Sequence, residues 1–235
     1  MALALTISAS SGAAITGSEE AFGAFKLGLY NGALRICSHP RLSSLSEQLE
    51  ARYLLDDAWD QGAVLELLER GLWFFAKRTS QLDCDTDITP NFGRSYVFEK
   101  PGDWVRTMAV AQDDRFNVPL IEFNDEAGYL YADQTPVYFA YVSNDPAYGG
   151  NVALWPPSFY QAMQGHLAES IVAQLTTSDS KAASVRKEAD RLLDLAKNLA
   201  AMNDSTAFPP RGSWVRSRYG NRSGYDRGNR SSLIG

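Results

Sequence analysis

Three aspartates stand at alternate positions in the stretch DCDTD, at Asp83, Asp85 and Asp87. Carboxylates at this spacing are typical of the first half of a calcium loop in a helix–loop–helix site. Such a loop also needs glycine at its sixth position and glutamate at its twelfth, where this chain has Ile88 and Arg94. The pattern therefore favours a solvated loop edge, and we expect neither a metal ion nor another cofactor.

Five further acids could form the carboxylate pairs that sugar hydrolases use. They are Asp113, Asp114, Glu122, Asp125 and Glu126. Because turns of ordinary proteins are rich in the same residue types, the pairing has little specificity. These acids keep a hydrolase open as an alternative function without favouring it.

Nucleophile and phosphate-binding motifs do not occur in the sequence, which has no G-x-S-x-G, G-x-x-x-x-G-K-[ST], G-x-G-x-x-G or H-E-x-x-H. The two cysteines, Cys37 and Cys84, and the two histidines, His39 and His166, are too few for a disulfide framework or a zinc site. We expect reduced thiols, structural histidines and a protein that is not an enzyme.

The last 28 residues, FPPRGSWVRSRYGNRSGYDRGNRSSLIG, contain six arginines and no lysine. Residues 211–235 have a net charge of +5 and residues 1–210 a net charge of −11, so the body is acidic and the tail basic. Arginine pairs with carboxylates or phosphates in bidentate fashion, and an exposed indole adds little to a purely solvating tail. We therefore predict a docking segment whose partner-binding residues are Arg211, Trp214, Arg216, Arg218, Tyr219, Arg222, Tyr225, Arg227 and Arg230.

Helical periodicity occurs in two segments of the sequence, one before and one after the middle of the chain. Apolar residues recur from about Gly23, and a capping-box pattern at Ser44 and Glu47 predicts the start of one long helix. Further on, proline in the first turn predicts one helix, and Ser178 as N-cap predicts the next. Because each helix has one apolar stripe, the two outer pairs must pack together.

Short runs rich in Val, Ile, Tyr and Phe occupy the middle of the chain: FAKRTSQL, WVRTMAV, VPLIEFN, GYLYA and VYFAYVS. IEFNDEAGYLYAD predicts a hairpin with Gly128 at a position of positive φ. The predicted fold is α+β: a bundle of about four helices interrupted by a small antiparallel β subdomain, with an extended C-terminal tail. Its parts are a flexible N-terminal arm (1–22), a helical hairpin (23–74), a β-rich insert (75–150), a C-terminal helical pair (151–204) and an Arg-rich docking tail (205–235).

Membrane segments are not predicted. No run approaches the roughly 18 apolar residues that span a bilayer, and the opening MALALTISASSGAAITG lacks a basic region of the signal-peptide kind. We expect a soluble protein that is made in the cytoplasm and has no membrane partner.

Residues 24 to 203 resemble, piece by piece and in order, the tail tubular protein A family, the head-to-tail adaptors of short-tailed bacteriophages. The family's N-x-A-L helix, I/L-S-S-L connector and closing W-x-F-A match residues 31–34, 42–45 and 73–76. KPGDWVRTMAV, YFAYVSND and LWPPSFYQAMQGHLAESIVAQLTTS are similar to later family motifs.

The resemblance implies a structural virion protein at the head–tail interface. Such adaptors form a ring, usually of twelve copies, between the portal and the tail nozzle or tail tube, and genomic DNA passes through the ring without specific binding. Their C-terminal segments reach the portal, which would be the partner of the tail. A nucleic-acid-binding module that uses the Arg-rich tail and a virion-associated peptidoglycan hydrolase remain the alternatives.

Overall fold

The computed structural model describes residues 19–90 and 93–203. Along this part of the chain, helices precede and follow a strand-rich insert. The helices of this part are α1 (Glu19–Ile36), α2 (Glu50–Asp60), α3 (Ala63–Glu69), α4 (Pro157–Leu175) and α5 (Asp179–Met202). The strands are β1 (Lys77–Leu82), β2 (Tyr96–Glu99), β3 (Trp104–Ala111), β4 (Asn124–Glu126), β5 (Tyr129–Ala132) and β6 (Val137–Ser143). Short 3₁₀ helices lie at Phe74–Ala76 and Val152–Leu154. The predicted α+β class is confirmed.

Helix α4 is the centre of the helical bundle. Phe159, Met163, Leu167 and Ile171 are buried, but every residue from 162 to 168 is buried as well, so the prediction of a single apolar stripe is wrong for this helix. Helices α1, α2 and α3 from the N-terminal half and α5 from the C-terminal half all pack on it. Its core cluster joins residues from both halves of the chain, so the outer helices pack together as predicted.

The predicted long helix is interrupted, which corrects the sequence-based prediction. Helix α2 ends at Asp60, and α3 begins after Gly62, whose φ of 99° lies in the left-handed region. Glycine adopts this conformation at little cost, and the chain changes direction there. A single apolar stripe does not continue across the break, and two large apolar residues of this segment, Tyr53 and Leu72, are 48% and 44% exposed.

The predicted capping box also does not form. Helix α2 starts at Glu50, and its N-cap, Leu49, contributes no side-chain hydrogen bond. The Glu47 carboxylate instead accepts a hydrogen bond from the Ser43 amide at 3.1 Å. The hydrogen bond between Ser43 and Glu47 therefore stabilises the turn before the helix rather than the first turn of the helix.

Other helix boundaries follow the sequence more closely. Helix α1 begins at Glu19 rather than near Gly23, so residues 19–22 are helical and not part of the predicted arm. Pro157 lies in the first turn of α4, and the Ser178 hydroxyl accepts a hydrogen bond from the Lys181 amide at the start of α5. The proline and Ser178 predictions are confirmed.

The insert contains two antiparallel three-stranded sheets, in the orders β1-β6-β3 and β2-β5-β4. Strands β4 and β5 form the predicted hairpin, with Ala127 and Gly128 both at positive φ. The run VPLIEFN is not a strand of its own: it has an isolated bridge at Pro119, and only its last residue, Asn124, belongs to β4. Strand β2 forms from YVFE, which was not predicted.

Strand β6 belongs to both apolar cores. Val142 lies in the core around α4, whereas Val137, Phe139 and Tyr141 lie in a second core inside the β subdomain. Successive side chains of a strand point to opposite faces, so the alternation along β6 assigns one face to each core.

We expect Gly62→Ala to lower the free energy of unfolding by about 1–2 kcal/mol, because alanine is strained in the left-handed region. Gly23→Ala is the matched control, since a Cβ there meets no atom within 4 Å and the residue lies within α1. The control should be neutral or stabilising by about 0.5–1 kcal/mol. Urea unfolding checks both, and equal effects of the two substitutions would contradict the assignment of a helix break.

Candidate functional site

The predicted docking residues lie outside the part of the chain that the structure describes. This applies to all nine: Arg211, Trp214, Arg216, Arg218, Tyr219, Arg222, Tyr225, Arg227 and Arg230. Most of the predicted N-terminal arm, residues 1–18, lies outside it as well. The described residues therefore define the body that such a tail would belong to.

The aspartates with calcium-like spacing take part in loop hydrogen bonds. The Asp85 carboxylate accepts a hydrogen bond from the Asp87 amide at 2.8 Å, and Asp83 accepts one from the Gln81 side chain at 3.1 Å. Within residues 19–90 and 93–203, no group of three or more acidic, histidine or cysteine side chains could hold a metal ion.

Three of the five acids considered for a hydrolase make contacts that are separate from one another. The Asp113 carboxylate accepts hydrogen bonds from the Asn117 and Val118 amides at 3.1 and 2.8 Å, and the Val118 bond is the main cause of its lowered pKa. Asp125 pairs with Lys100 at 2.6 Å. Glu122 lies 3.4 Å from Arg94. These contacts stabilise loops and hairpins of the β subdomain.

A polar cluster around Asp103, the residue that precedes β3, connects this residue with β1 and β6. The Asp103 carboxylate accepts hydrogen bonds from Arg78 at 2.9 Å, from Tyr141 at 3.1 Å and from the Ser143 hydroxyl. Burial acts to raise the pKa of Asp103, but the hydrogen bonds from Ser143, Arg78 and Tyr141 outweigh it and the pKa is lowered. The same burial, together with the Asp103 charge, raises the pKa of Tyr141. The cluster is thus a charged structural joint in which Asp103 stays ionised.

His166 is buried between α3, α4 and α5. Its Nε2 lies 3.0 Å from a Glu66 carboxylate oxygen, while its buried Nδ1 has no hydrogen-bond partner within the described residues. Burial lowers the pKa of His166, and the Arg70 charge lowers it further against the opposing charges of Glu66 and Glu169. The prediction was a structural histidine with its hydrogen bonds satisfied; Nε2 fits that description and Nδ1 does not, and the role stays a prediction.

Excess negative charge is the main electrostatic property of the body. The described residues include 16 Lys and Arg against 26 Asp and Glu. In residues 77–143 the balance is 6 against 11. Within the described chain, the acids of this segment that make no ion pair are Asp83, Asp85, Asp87, Glu99, Asp113, Asp114 and Glu126. The β subdomain therefore presents uncompensated negative charge to solvent.

Two apolar surface features were missed by the sequence analysis. The first is an apolar groove of about 130 Å³ lined by Trp73, Phe74, Phe75, Leu154, Leu199 and Ala200, among others. The second is the apolar loop, residues 112–123, whose Val118 and Ile121 are 49% and 83% exposed. The loop was missed because VPLIEFN was predicted to be a strand. The groove was missed because its lining residues come from segments that are far apart in the sequence, so no local pattern indicates it.

Comparisons with known proteins gave no match to this chain, either among protein-family models or among curated proteins. In the described part of the chain, none of the helices combines the length and apolar character needed to cross a bilayer.

Replacing Asp103 with asparagine should lower the free energy of unfolding by about 1.5–3 kcal/mol, the range for hydrogen bonds to a charged group. Asp114→Asn, at an exposed acid without an ion pair in the described chain, is the control and should stay within about 0.5 kcal/mol of the wild type. Urea unfolding at neutral pH measures both. A loss at Asp114 as large as that at Asp103 would contradict the proposed joint.

The lowered pKa of His166 predicts an acid-dependent loss of stability. As the pH falls below about 6.5, the unfolded chain takes up the histidine proton before the folded chain does, so stability present at pH 7 is lost on acidification. Between neutral and acidic pH, the free energy of unfolding should therefore fall more steeply for the wild type than for His166→Gln. Parallel pH profiles for the two proteins would refute this expectation.

Proposed function

We propose that this chain is a structural adaptor that forms a ring between the portal and the tail of a short-tailed bacteriophage. The observation that carries the proposal is the separation of charge along the sequence: an acidic body and a basic, aromatic-containing C-terminal segment. A segment of this composition suits docking on a protein surface rich in carboxylates.

Negative charge on the body suits a channel through which DNA passes. Uncompensated acids on the β subdomain repel phosphates, and a ring of copies would repeat that charge around its lumen. The same charge is unfavourable for a body that binds nucleic acid directly. This favours the adaptor over the nucleic-acid-binding alternative, in which the tail alone would have to overcome the repulsion.

A contact between two segments of the proposed family resemblance gives further support. The Asn31 side chain donates to the Leu42 carbonyl at 3.1 Å and accepts from the Leu42 amide at 2.8 Å. Asn31 belongs to the N-x-A-L segment and Leu42 to the connector, so the two segments have a structural reason to occur together.

Deleting residues 209–235 tests the proposal. We expect loss of binding to the portal protein of the virus that encodes this chain, with an unchanged circular dichroism spectrum from the body. Calorimetric titration of portal with full-length and shortened protein measures the effect. Undiminished binding by the shortened protein would overturn the docking role of the tail.

A matched variant separates bidentate docking from simple charge attraction. It replaces the six arginines of residues 211–235 with lysine, which keeps the charge and removes the planar guanidinium fork. We expect weaker portal binding by this variant. The nucleic-acid alternative instead predicts DNA affinity that falls with salt at a log–log slope of about −0.9 per phosphate contact, largely retained in the lysine variant.

A further inference from the structure

The apolar loop is fixed in shape while two of its apolar side chains are exposed. Besides the Asp113 hydrogen bonds, the Gln112 amide donates to the Val118 carbonyl at 3.0 Å and the Leu120 amide to the Val110 carbonyl at 2.9 Å. Leu120 is buried in the core of the β subdomain. Ile121, the next residue, is thus held in a defined position at 83% exposure, and ordering it in an interface costs little entropy.

The apolar groove has the size and chemistry to receive such a side chain. Its volume of about 130 Å³ is close to that of cavities that hold a benzene-sized molecule, about 150 Å³. Aromatic rings of Trp73, Phe74 and Phe75 line it, and Leu199, at its edge, is 43% exposed. Filling the groove would remove these apolar atoms from water.

Charges beside the two features are complementary. The Lys77 ammonium lies 5.8 Å from the centre of the Phe74 ring and makes no ion pair within the described residues. Glu122, beside Ile121, has a side chain that is 81% exposed, and its partner Arg94 lies closer to Asp133, at 2.6 Å. A basic group thus flanks the groove, and an acidic group flanks the exposed isoleucine.

We propose that Ile121 of one copy inserts into the apolar groove of a second copy, with Glu122 of the first near Lys77 of the second. A copy does not fill its own groove with this residue, since Ile121 remains exposed. The two surfaces differ, so the contact is head-to-tail, the type that generates closed rings when the rotation closes. This inference deepens the proposed ring assembly and rests on it.

Cysteine cross-linking between two differently tagged copies tests the contact. Both copies carry Cys37→Ser and Cys84→Ser; one adds Ile121→Cys and the other Leu199→Cys. The control pair replaces Leu199→Cys with Lys187→Cys, at an exposed position of α5. Because the proposed contact holds the 121 and 199 sites together, we expect their disulfide to form about tenfold faster than that of the control pair. Equal rates, or a predominance of 121–121 pairs, would overturn the proposal.

Charge reversal provides a second measurement that keeps the native cysteines. Lys77→Glu and Glu122→Lys should each weaken self-association in sedimentation experiments at high protein concentration, and the double variant should recover it. Failure of the double variant to recover association would refute the proposed pairing. Neither measurement uses the portal, so loss of portal binding on tail deletion and loss of this contact are separate outcomes.

Discussion

The fold depends on a helix that has no polar face wide enough to meet water. Helix α4 is buried on most of its circumference, so neighbours must cover it from several sides. Helices α1 to α3 and α5 do so, and α5 packs closely where Gly165 lies: a Cβ there would be 3.1 Å from the Ala189 Cα. Since the covering helices come from both ends of the described chain, the segment between them must leave the bundle and return to it. The β subdomain is this connecting segment.

The sequence was sufficient where local chemistry determines the structure. The proline in the first turn of α4, the Ser178 cap and the turn at Gly128 depend on neighbouring residues, and each was predicted. The break at Gly62 was missed because an isolated glycine is compatible with a continuing helical pattern. The apolar run from Val118 to Phe123 has strand-like composition, but Asp113 holds its start in a loop. Of the candidate sites, the docking tail was predicted from composition alone, and its residues lie outside the described chain. The apolar groove arises from tertiary packing and therefore could not be predicted.

Acidic residues serve two physical purposes in this body. Asp103, Asp125 and Asp133 are committed to basic partners or hydroxyl groups that stabilise the β subdomain, so their charge is largely neutralised. Others, including Asp83, Asp87 and Glu126, have no ion-pair partner in the described chain and determine its external field. The acids considered as candidate catalytic carboxylates in the sequence are thereby divided between internal structure and long-range repulsion. The proposed adaptor requires the second group as much as the first.

Strand β6 has a mechanical consequence. One of its faces contributes Val142 to the helical core, and the other contributes Phe139 and Tyr141 to the core of the β subdomain. A displacement of the outer strands β1 and β3 therefore acts on a central strand whose two faces are packed in different cores. A shift of β6 would disturb the packing of Val142 in the helical core and of Phe139 and Tyr141 in the core of the β subdomain at the same time.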